Sequence, residues 1–306
     1  MTAQPEAPLA GRVPPPNLAP PSPAELETIM RAQGDTPPVD GSNMSTANVG
    51  QAISKATSAP PPVMPDTTDV MVDLPAGWMT HEGLLVSSAR CRELNGYDEE
   101  KLSRVDPSKN VAVYVTELLF LGVDDLGGQK PTKDVLRSLL IGDRDALMLG
   151  IRQATYGNEV EFKLTCTVCD NDSLIKVMLD EDVPVTKLED PHVRDFEVPL
   201  RNNRHATVRL LTGEAQEAVS EDNSKKTTAE ITTVMLAKSV VAINGKPVMG
   251  RTEDVLMLSA ADRQAITDFV VEHQPGPQLN KEIPVACSVC GEEYPILLGL
   301  PNLFRL

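Results

Sequence analysis

Two short cysteine motifs of the same form, far apart in the chain, constrain the fold more than any other feature. Residues 166–169 read CTVC and residues 287–290 read CSVC, at an offset of 121 residues. Apolar residues alternate with other residues on both sides of each motif, a pattern typical of a strand–turn–strand hairpin. We therefore expect each cysteine pair at the tip of a hairpin, with its two sulfurs pointing toward one place.

The cysteine pairs belong to a longer internal repeat. Residues 132–136 (TKDVL) recur as residues 252–256 (TEDVL) at an offset of 120, and a Lys-Pro turn precedes each segment. An Asp-Arg pair then opens a helical segment in both places, at 143–144 and at 262–263, an offset of 119. Landmarks in the same order at nearly constant spacing predict two tandem copies of one unit.

Each copy is expected to combine helices with short hairpins, which places the chain in the α+β class. Asn95 and Thr212 each precede a glycine and are expected to cap a helix, and Asn244-Gly245 suits a type I′ turn. The two copies extend over about 69–182 and 194–300. The predicted domains are a Pro-rich extended arm at 1–66, a first repeat unit with its cysteine pair at 67–182, and a second at 183–306.

The arm differs in composition from the rest of the chain. The first 65 residues hold 14 of the 26 prolines and almost no large apolar residues. Such a segment buries too little surface to offset its chain entropy, so it is not expected to fold alone. One short helix is predicted between Ser22 and Gly34, with an apolar stripe of Leu26, Ile29 and Met30 suited to docking in a partner's groove. The alternative is a flexible leader with no partner.

The two cysteine pairs predict one zinc site. Two hairpin tips can supply four thiolates in a tetrahedron at about 2.3 Å from Zn²⁺, and four thiolates leave no open coordination position, so the zinc is expected to be structural. The gap of 117 residues between the pairs is long for a zinc ribbon, but the repeat explains it if the knuckles of two units meet. Two local disulfides or four free thiols are the alternatives. The predicted ligands are Cys166, Cys169, Cys287 and Cys290.

Composition narrows the classes of function. Asp and Glu number 44 against 28 Lys and Arg, for a net charge of −16; so acidic a surface repels phosphate backbones and disfavours nucleic-acid binding. No apolar run reaches the roughly 18 residues of a membrane span. The first 23 residues lack the basic start and apolar stretch of a signal peptide, so we expect a cytosolic origin.

No catalytic constellation is recognisable in the chain. Gly127-Gly128 lacks the Lys-Ser/Thr that follows a phosphate-binding loop, and Cys91 is expected to be a small, semi-buried side chain. Arg144 and Arg263 are expected to form ion pairs rather than to bind a ligand. We therefore expect neither an enzyme nor a small-molecule substrate. The histidines are scattered: His81, His192, His205 and His273.

A further set of motifs runs in order through the whole of residues 69–306. The motifs are Leu74-Pro75, residues 92–100, 142–144 and 152–157, the closing CxxCG at 287–291, and Phe304. The most specific part is the Asp-Arg helix that continues into Ala-Thr-Tyr-Gly and then into a strand and CxxC. With these motifs the chain resembles the T4-type baseplate hub and hub-assembly family of contractile-tailed phages.

The resemblance implies a structural or assembly protein of the baseplate hub, located in the virion tail and assembled in the host cytoplasm. Its expected partners are other baseplate and tail proteins, bound through the acidic body and the N-terminal arm. One alternative is a hub-assembly chaperone that is not retained in the particle. A second alternative, from a different class, is a zinc-ribbon regulator that binds nucleic acid.

Overall fold

The computed structural model describes residues 68–221, 226–248, 250–279 and 281–304, and within them nine helices accompany small antiparallel sheets. The α+β class is therefore confirmed. The predicted Pro-rich arm at 1–66, with its helix between Ser22 and Gly34, lies outside the described residues. No helix in the described part of the chain has the length and apolar character needed to cross a bilayer.

The first half begins with a hairpin, continues through four helices and ends in a second hairpin. Asn95 caps the first helix as predicted, and Asp98 returns a hydrogen bond to the Asn95 main chain, which completes a capping box. The elements are β1 (Val70–Met79), β2 (Leu85–Cys91), α1 (Gly96–Leu102), α2 (Val111–Gly122), β3 (Val123–Leu126), α3 (Lys133–Ser138), α4 (Ile141–Tyr156), β4 (Glu159–Thr165) and β5 (Asp172–Met178).

The second half follows the same order of hairpin, two helices, short strand, two helices and hairpin. Thr212 caps its first helix by accepting from the Ala215 N–H, as predicted. That the two halves are copies of one unit remains a prediction. The elements are β6 (Val185–Thr186), β7 (Asp195–Leu200), β8 (Arg204–Arg209), α5 (Gly213–Ser220), α6 (Thr228–Ser239), β9 (Val240–Ile243), β10 (Lys246–Pro247), α7 (Thr252–Leu256), α8 (Ala260–Glu272), β11 (Gly276–Pro277), β12 (Ile283–Ala286), β13 (Glu293–Ile296) and α9 (Leu300–Leu303).

The strands form one small sheet in each half, two separate cysteine hairpins and a two-stranded pair of β6 with β11. The first sheet has the order β1-β2-β3 and the second the order β10-β9-β8-β7, while β4-β5 and β12-β13 pair only with each other. Asn244 and Gly245 both have positive φ, at 50° and 72°, as a type I′ turn requires. The cysteine hairpins therefore project from the ends of the two halves rather than from within a sheet.

Two main hydrophobic clusters form the interior, and they do not follow the predicted boundary between residues 182 and 183. The second cluster holds side chains of β7, β8, α6 and α8, such as Leu236 and Ile266. The first cluster joins the core of the first half to the C-terminal hairpin, with Val160 and Val177 in the same cluster as Ile283. All described residues lie in one compact unit, and the domain boundaries stay a prediction.

Arg144 and Arg263 were expected to form ion pairs, but among residues 68–304 that the structure describes they donate to neutral oxygens instead. The Arg144 guanidinium donates to the Leu136 carbonyl oxygen at 2.9 Å and to Thr116 Oγ1 at 2.9 Å. Arg263 donates in the same way to the Val255 carbonyl oxygen at 3.2 Å and to Thr233 Oγ1 at 2.8 Å. Each arginine therefore ties two helices of its own half together through neutral acceptors.

These contacts also correct the alignment of one sequence landmark. Leu136 and Val255, which accept from the two arginines and are both fully buried, lie 119 residues apart. The similar segments TKDVL and TEDVL are 120 residues apart. Their identical residues therefore do not occupy equivalent positions in the two halves but are shifted by one residue. The same offset of 119 residues relates Leu140 and Ser259, the N-cap residues of the next helix in each half.

Candidate metal centre

The first cysteine pair lies in the tight turn between β4 and β5. The Cys166 N–H donates to the Asn171 carbonyl oxygen at 2.9 Å, and the Cys166 carbonyl oxygen accepts from the Asp170 N–H at 2.9 Å. Asp170 has a φ of 53°, in the left-handed region that Asp tolerates better than most residues. The turn therefore folds back on Cys166 and holds the thiols of Cys166 and Cys169 on the same side.

The second pair repeats this geometry between β12 and β13. The Cys287 N–H donates to the Glu292 carbonyl oxygen at 2.7 Å, and the Cys287 carbonyl oxygen accepts from the Gly291 N–H at 3.0 Å. Gly291 has a φ of 76° at the position that Asp170 occupies in the first turn. A glycine in one turn and an aspartate in the other thus serve the same left-handed backbone conformation.

The structure brings the four predicted ligands together. All four sulfur atoms lie within 4.8 Å of one another. Two pairs of sulfurs are in contact across the hairpins, Cys166 with Cys290 at 3.5 Å and Cys169 with Cys287 at 3.8 Å. A tetrahedron with sulfurs about 2.3 Å from a central ion needs sulfur–sulfur separations of about 3.8 Å. The cluster therefore has the dimensions of a four-thiolate metal site and could hold a metal ion.

The sulfur separations also bear on the alternative of local disulfides. A disulfide requires a sulfur–sulfur distance of about 2.05 Å, whereas all four of these cysteines are free thiols in the structure. Cys166 and Cys287, the first cysteine of each pair, are buried, while Cys169 and Cys290 lie at the surface.

Tyr294 supports the cluster, and the sequence analysis did not identify it. Its hydroxyl lies 2.9 Å from the Cys166 sulfur and accepts from the Thr167 N–H at 3.2 Å. The hydrogen bond with Tyr294 lowers the pKa of Cys166 to about 6, which favours the thiolate at this one position, whereas hydrogen bonds with the neighbouring thiols raise the pKa of Cys169 and Cys290. The residue lies on β13 opposite Val285, and no local sequence signal links it to a cysteine in the other hairpin.

The other side chains considered in the sequence lie elsewhere in the fold. Cys91 is fully buried and its burial raises the pKa of the thiol to about 12, in keeping with a packing role. His273 is exposed and its ring stacks on Phe269 with centroids 3.9 Å apart. In the described part of the chain, the four cysteines are the one group of three or more Cys, His, Asp or Glu residues placed to share an ion.

Comparison with known proteins gives one match. A family model described as T4 bacteriophage base plate protein matches residues 82–305. No curated protein and no solved structure matches the chain. The matched region includes both cysteine hairpins and most of both halves.

Proposed function

This chain belongs to the T4 bacteriophage base plate protein family, and from that premise we propose that it is a structural protein of the baseplate hub of a contractile phage tail. It is retained in the virion after assembly in the host cytoplasm. The observation that carries the proposal is the extent of the family match, which takes in both halves of the chain and both cysteine pairs.

The proposed role is to bind neighbouring tail proteins rather than to catalyse a reaction. The net charge of −16 favours contact with basic protein surfaces and opposes contact with nucleic acid. The N-terminal arm is proposed to dock on a neighbour. A chain that bridges several subunits needs a rigid body. The proposed role of the cysteine cluster is to provide this rigidity by holding the two hairpins together.

We further propose that Cys166, Cys169, Cys287 and Cys290 bind one structural Zn²⁺ that joins two duplicated units. Four thiolates and no oxygen or nitrogen ligand suit zinc and leave no place for a substrate. When bound, the ion supplies cross-linking energy, on the order of 10 kcal/mol for structural zinc sites. The hairpins position the thiolates, and Tyr294 holds Cys166 in the required orientation.

The zinc proposal is tested with Cys287→Ser and the matched control Val289→Ala, at an exposed residue of the same turn. We expect one zinc ion per chain in the wild type and the control, and a lower zinc content and melting temperature for Cys287→Ser, because the metal then has only three sulfur ligands. Metal analysis and thermal unfolding measure both. A wild type without zinc whose melting temperature equals that of Cys287→Ser would contradict the proposal.

The baseplate proposal is tested on phage particles. Quantitative mass spectrometry of purified tails should find this chain in fixed proportion to other baseplate proteins. Its complete absence from particles, together with its requirement for tail assembly, would favour the chaperone alternative. Retention of measurable DNA binding near physiological salt by the purified chain would favour the regulator instead.

A further inference from the structure

Helix α5 of the second half docks on the first half through two particular residues. A Cβ atom on Gly213 would overlap the guanidinium of Arg144, so only glycine allows the helix to approach this closely. One helical turn later, Glu217 accepts from Thr116 Oγ1 at 2.6 Å and from Arg137 Nε at 2.8 Å. The Gly213 N–H also donates to the Leu139 carbonyl oxygen at 2.9 Å. This joint covers Arg144 completely.

The surface that receives α5 has a counterpart on the second half. Arg263 and Thr233 form the same hydrogen bond there as Arg144 and Thr116 form in the first half. In the described residues, however, no helix covers the outside of this counterpart. Ala112 is fully buried beneath α5, whereas its counterpart Ala229 is exposed.

Apolar side chains flank the uncovered surface. Leu256 is 59% exposed and Met257 is 85% exposed, at the junction of α7 and α8. Leu256 lies 119 residues after Arg137, the residue that pairs with Glu217 in the internal joint. The second half therefore presents the same arginine and threonine as the first, with an apolar residue in place of one cation.

Helix α1 carries the complementary residues. It begins after the cap Asn95, as α5 begins after the cap Thr212. Gly96 and Glu100 lie 117 residues before Gly213 and Glu217, at the same helical positions. Both are exposed, and a Cβ atom on Gly96 would meet no atom within 4 Å. Within the part of the chain that the structure describes, α1 thus presents both the glycine that permits close approach and the carboxylate that could accept a threonine hydroxyl, with no partner helix on them.

We propose that two copies of this chain associate head to tail, with α1 of one copy on the α6–α7–α8 surface of the next. Gly96 then lies over the guanidinium of Arg263, and Glu100 accepts from the Thr233 hydroxyl. The occupant is a second copy because the two complementary surfaces lie on the same chain and the chain already joins its own halves in this way. Such a contact is heterologous, so it builds rings or open arrays rather than a closed twofold dimer.

The contact should be weaker than the internal joint. Leu256 cannot replace the ion pair between Arg137 and Glu217, and no covalent connection raises the effective concentration of the partner helix. Association should therefore depend on protein concentration and be reversible. The association is measured on the purified chain and therefore does not depend on the proposed baseplate role. A chain that does not associate could still be found in phage particles, and a chain absent from particles could still associate.

The test uses two variants of the full chain, each of which blocks one surface. Gly96→Trp places a large side chain on α1, and Leu256→Lys places a charge on the receiving surface; both positions are exposed, so folding should be preserved. In sedimentation velocity up to about 100 μM, the wild type should show association, and each variant alone should associate at least about tenfold more weakly. Glu82→Lys, a charge change in the β1–β2 turn, should behave as the wild type.

A mixture of the two variants tests whether association occurs through α1 and the α6–α7–α8 surface or through some other contact. Each variant keeps one intact surface, so an equimolar mixture should form a one-to-one dimer that grows no further. A wild type that stays monomeric throughout, variants that associate like the wild type, or a mixture that stays monomeric would each overturn the proposal. Should circular dichroism show that a variant is unfolded, Glu100→Lys and Met257→Lys replace the pair with the same expected results.

Discussion

Arg144 and Arg263 show how one residue type in one local arrangement acquires two different environments. Each donates to a main-chain carbonyl of the preceding helix and to a threonine hydroxyl. Arg144 is fully buried, and desolvation lowers the pKa of its guanidinium to about 10. Arg263 keeps part of its surface in water. The two positions therefore allow the loss of unfolding free energy on removing the same contacts to be compared between a buried and a partly exposed site.

Replacing Arg144 with Met should destabilise the protein more than replacing Arg263 with Met. At the buried site the variant leaves Leu136 and Thr116 acceptors without a donor and without water, at a cost of about 2–3 kcal/mol. At the exposed site, water replaces the lost donor. Urea unfolding of both variants measures the difference. Equal losses of unfolding free energy would show that the covering by α5 does not matter.

Gly142 is required by the packing of α4 against β11. A Cβ atom there would overlap the carbonyl oxygen of Pro275, and a backbone atom cannot move aside as the end of a side chain can. Gly142→Ala is expected to lower the unfolding free energy by about 3 kcal/mol, measured by chemical denaturation. Gly96→Ala, on an open surface, is the control and should change it little. A tolerated alanine at Gly142 would mean that α4 and β11 are packed less closely.

At the scale of elements, the first turn of α4 holds the irregular part of β1 in place. Pairing between β1 and β2 shifts register between Asp73 and Trp78, which frees the Ala76 N–H to donate to Asp143 Oδ1 at 2.8 Å. The second Asp143 oxygen has no hydrogen-bond partner among the described residues. Burial raises the pKa of this carboxyl to about 6, although the Ala76 N–H and the charge of Arg194 act in the opposite direction.

The stability of the Asp143→Asn variant, measured as its free energy of unfolding relative to that of the wild type, should increase as the pH rises. Between the unfolded pKa near 4 and the folded value of about 6, the native wild type binds more protons than the unfolded chain, so its stability falls as the pH rises. The asparagine side chain does not titrate. The unfolding free energy of the variant relative to that of the wild type should therefore rise by about 1 kcal/mol from pH 5 to pH 8. Unfolding free energies across this range test the expectation.

Asp262, at the same position of α8, supplies the control. The Arg201 N–H and the neighbouring side chains lower the pKa of its carboxyl, so its contribution to stability is lost only as the pH falls through that low value. Asp262→Asn should therefore be destabilising across pH 5 to 8 and nearly independent of pH. Parallel profiles for the two variants would show that the two carboxyls have the same environment.

At the scale of the whole molecule, the C-terminal hairpin completes the core of the first half. Ile283, Val285 and Phe304 belong to the same hydrophobic cluster as Leu118 and Leu147. The chain thus returns to its first half after building its second, and the two cysteine hairpins meet as a consequence. Loss of the hairpin would expose the apolar side chains of β4 and β5 to water.

A fragment of residues 67–182 should therefore not fold by itself. It lacks the apolar side chains of β12 and β13 and two of the four cysteines, and either loss would suffice to destabilise a unit of this size. Circular dichroism and thermal unfolding should show no cooperative transition. Addition of the fragment 183–306 should restore one, and cooperative folding of the first fragment alone would support independent domains.

Local sequence patterns predicted the elements well. The caps Asn95 and Thr212, the Asn244-Gly245 turn and the strands flanking each cysteine pair depend on neighbouring residues only, and all occur as expected. The four cysteines were predicted as one cluster because their spacing repeats. Tyr294 was missed because it lies far in the chain from the cysteine that it contacts. The neutral acceptors of Arg144 were missed because they depend on how α2 and α3 pack against α4.

Sequence alone determined which segments become helices, strands and cysteine turns, because those preferences arise from backbone geometry within a few residues. The tertiary structure decided which hydrophobic cluster the last hairpin joins and which arginine is covered. It also decided that the TKDVL and TEDVL segments are displaced by one residue. The first two outcomes depend on packing between segments that are distant in the chain, where side-chain volume and hydrogen-bond satisfaction decide which surfaces meet.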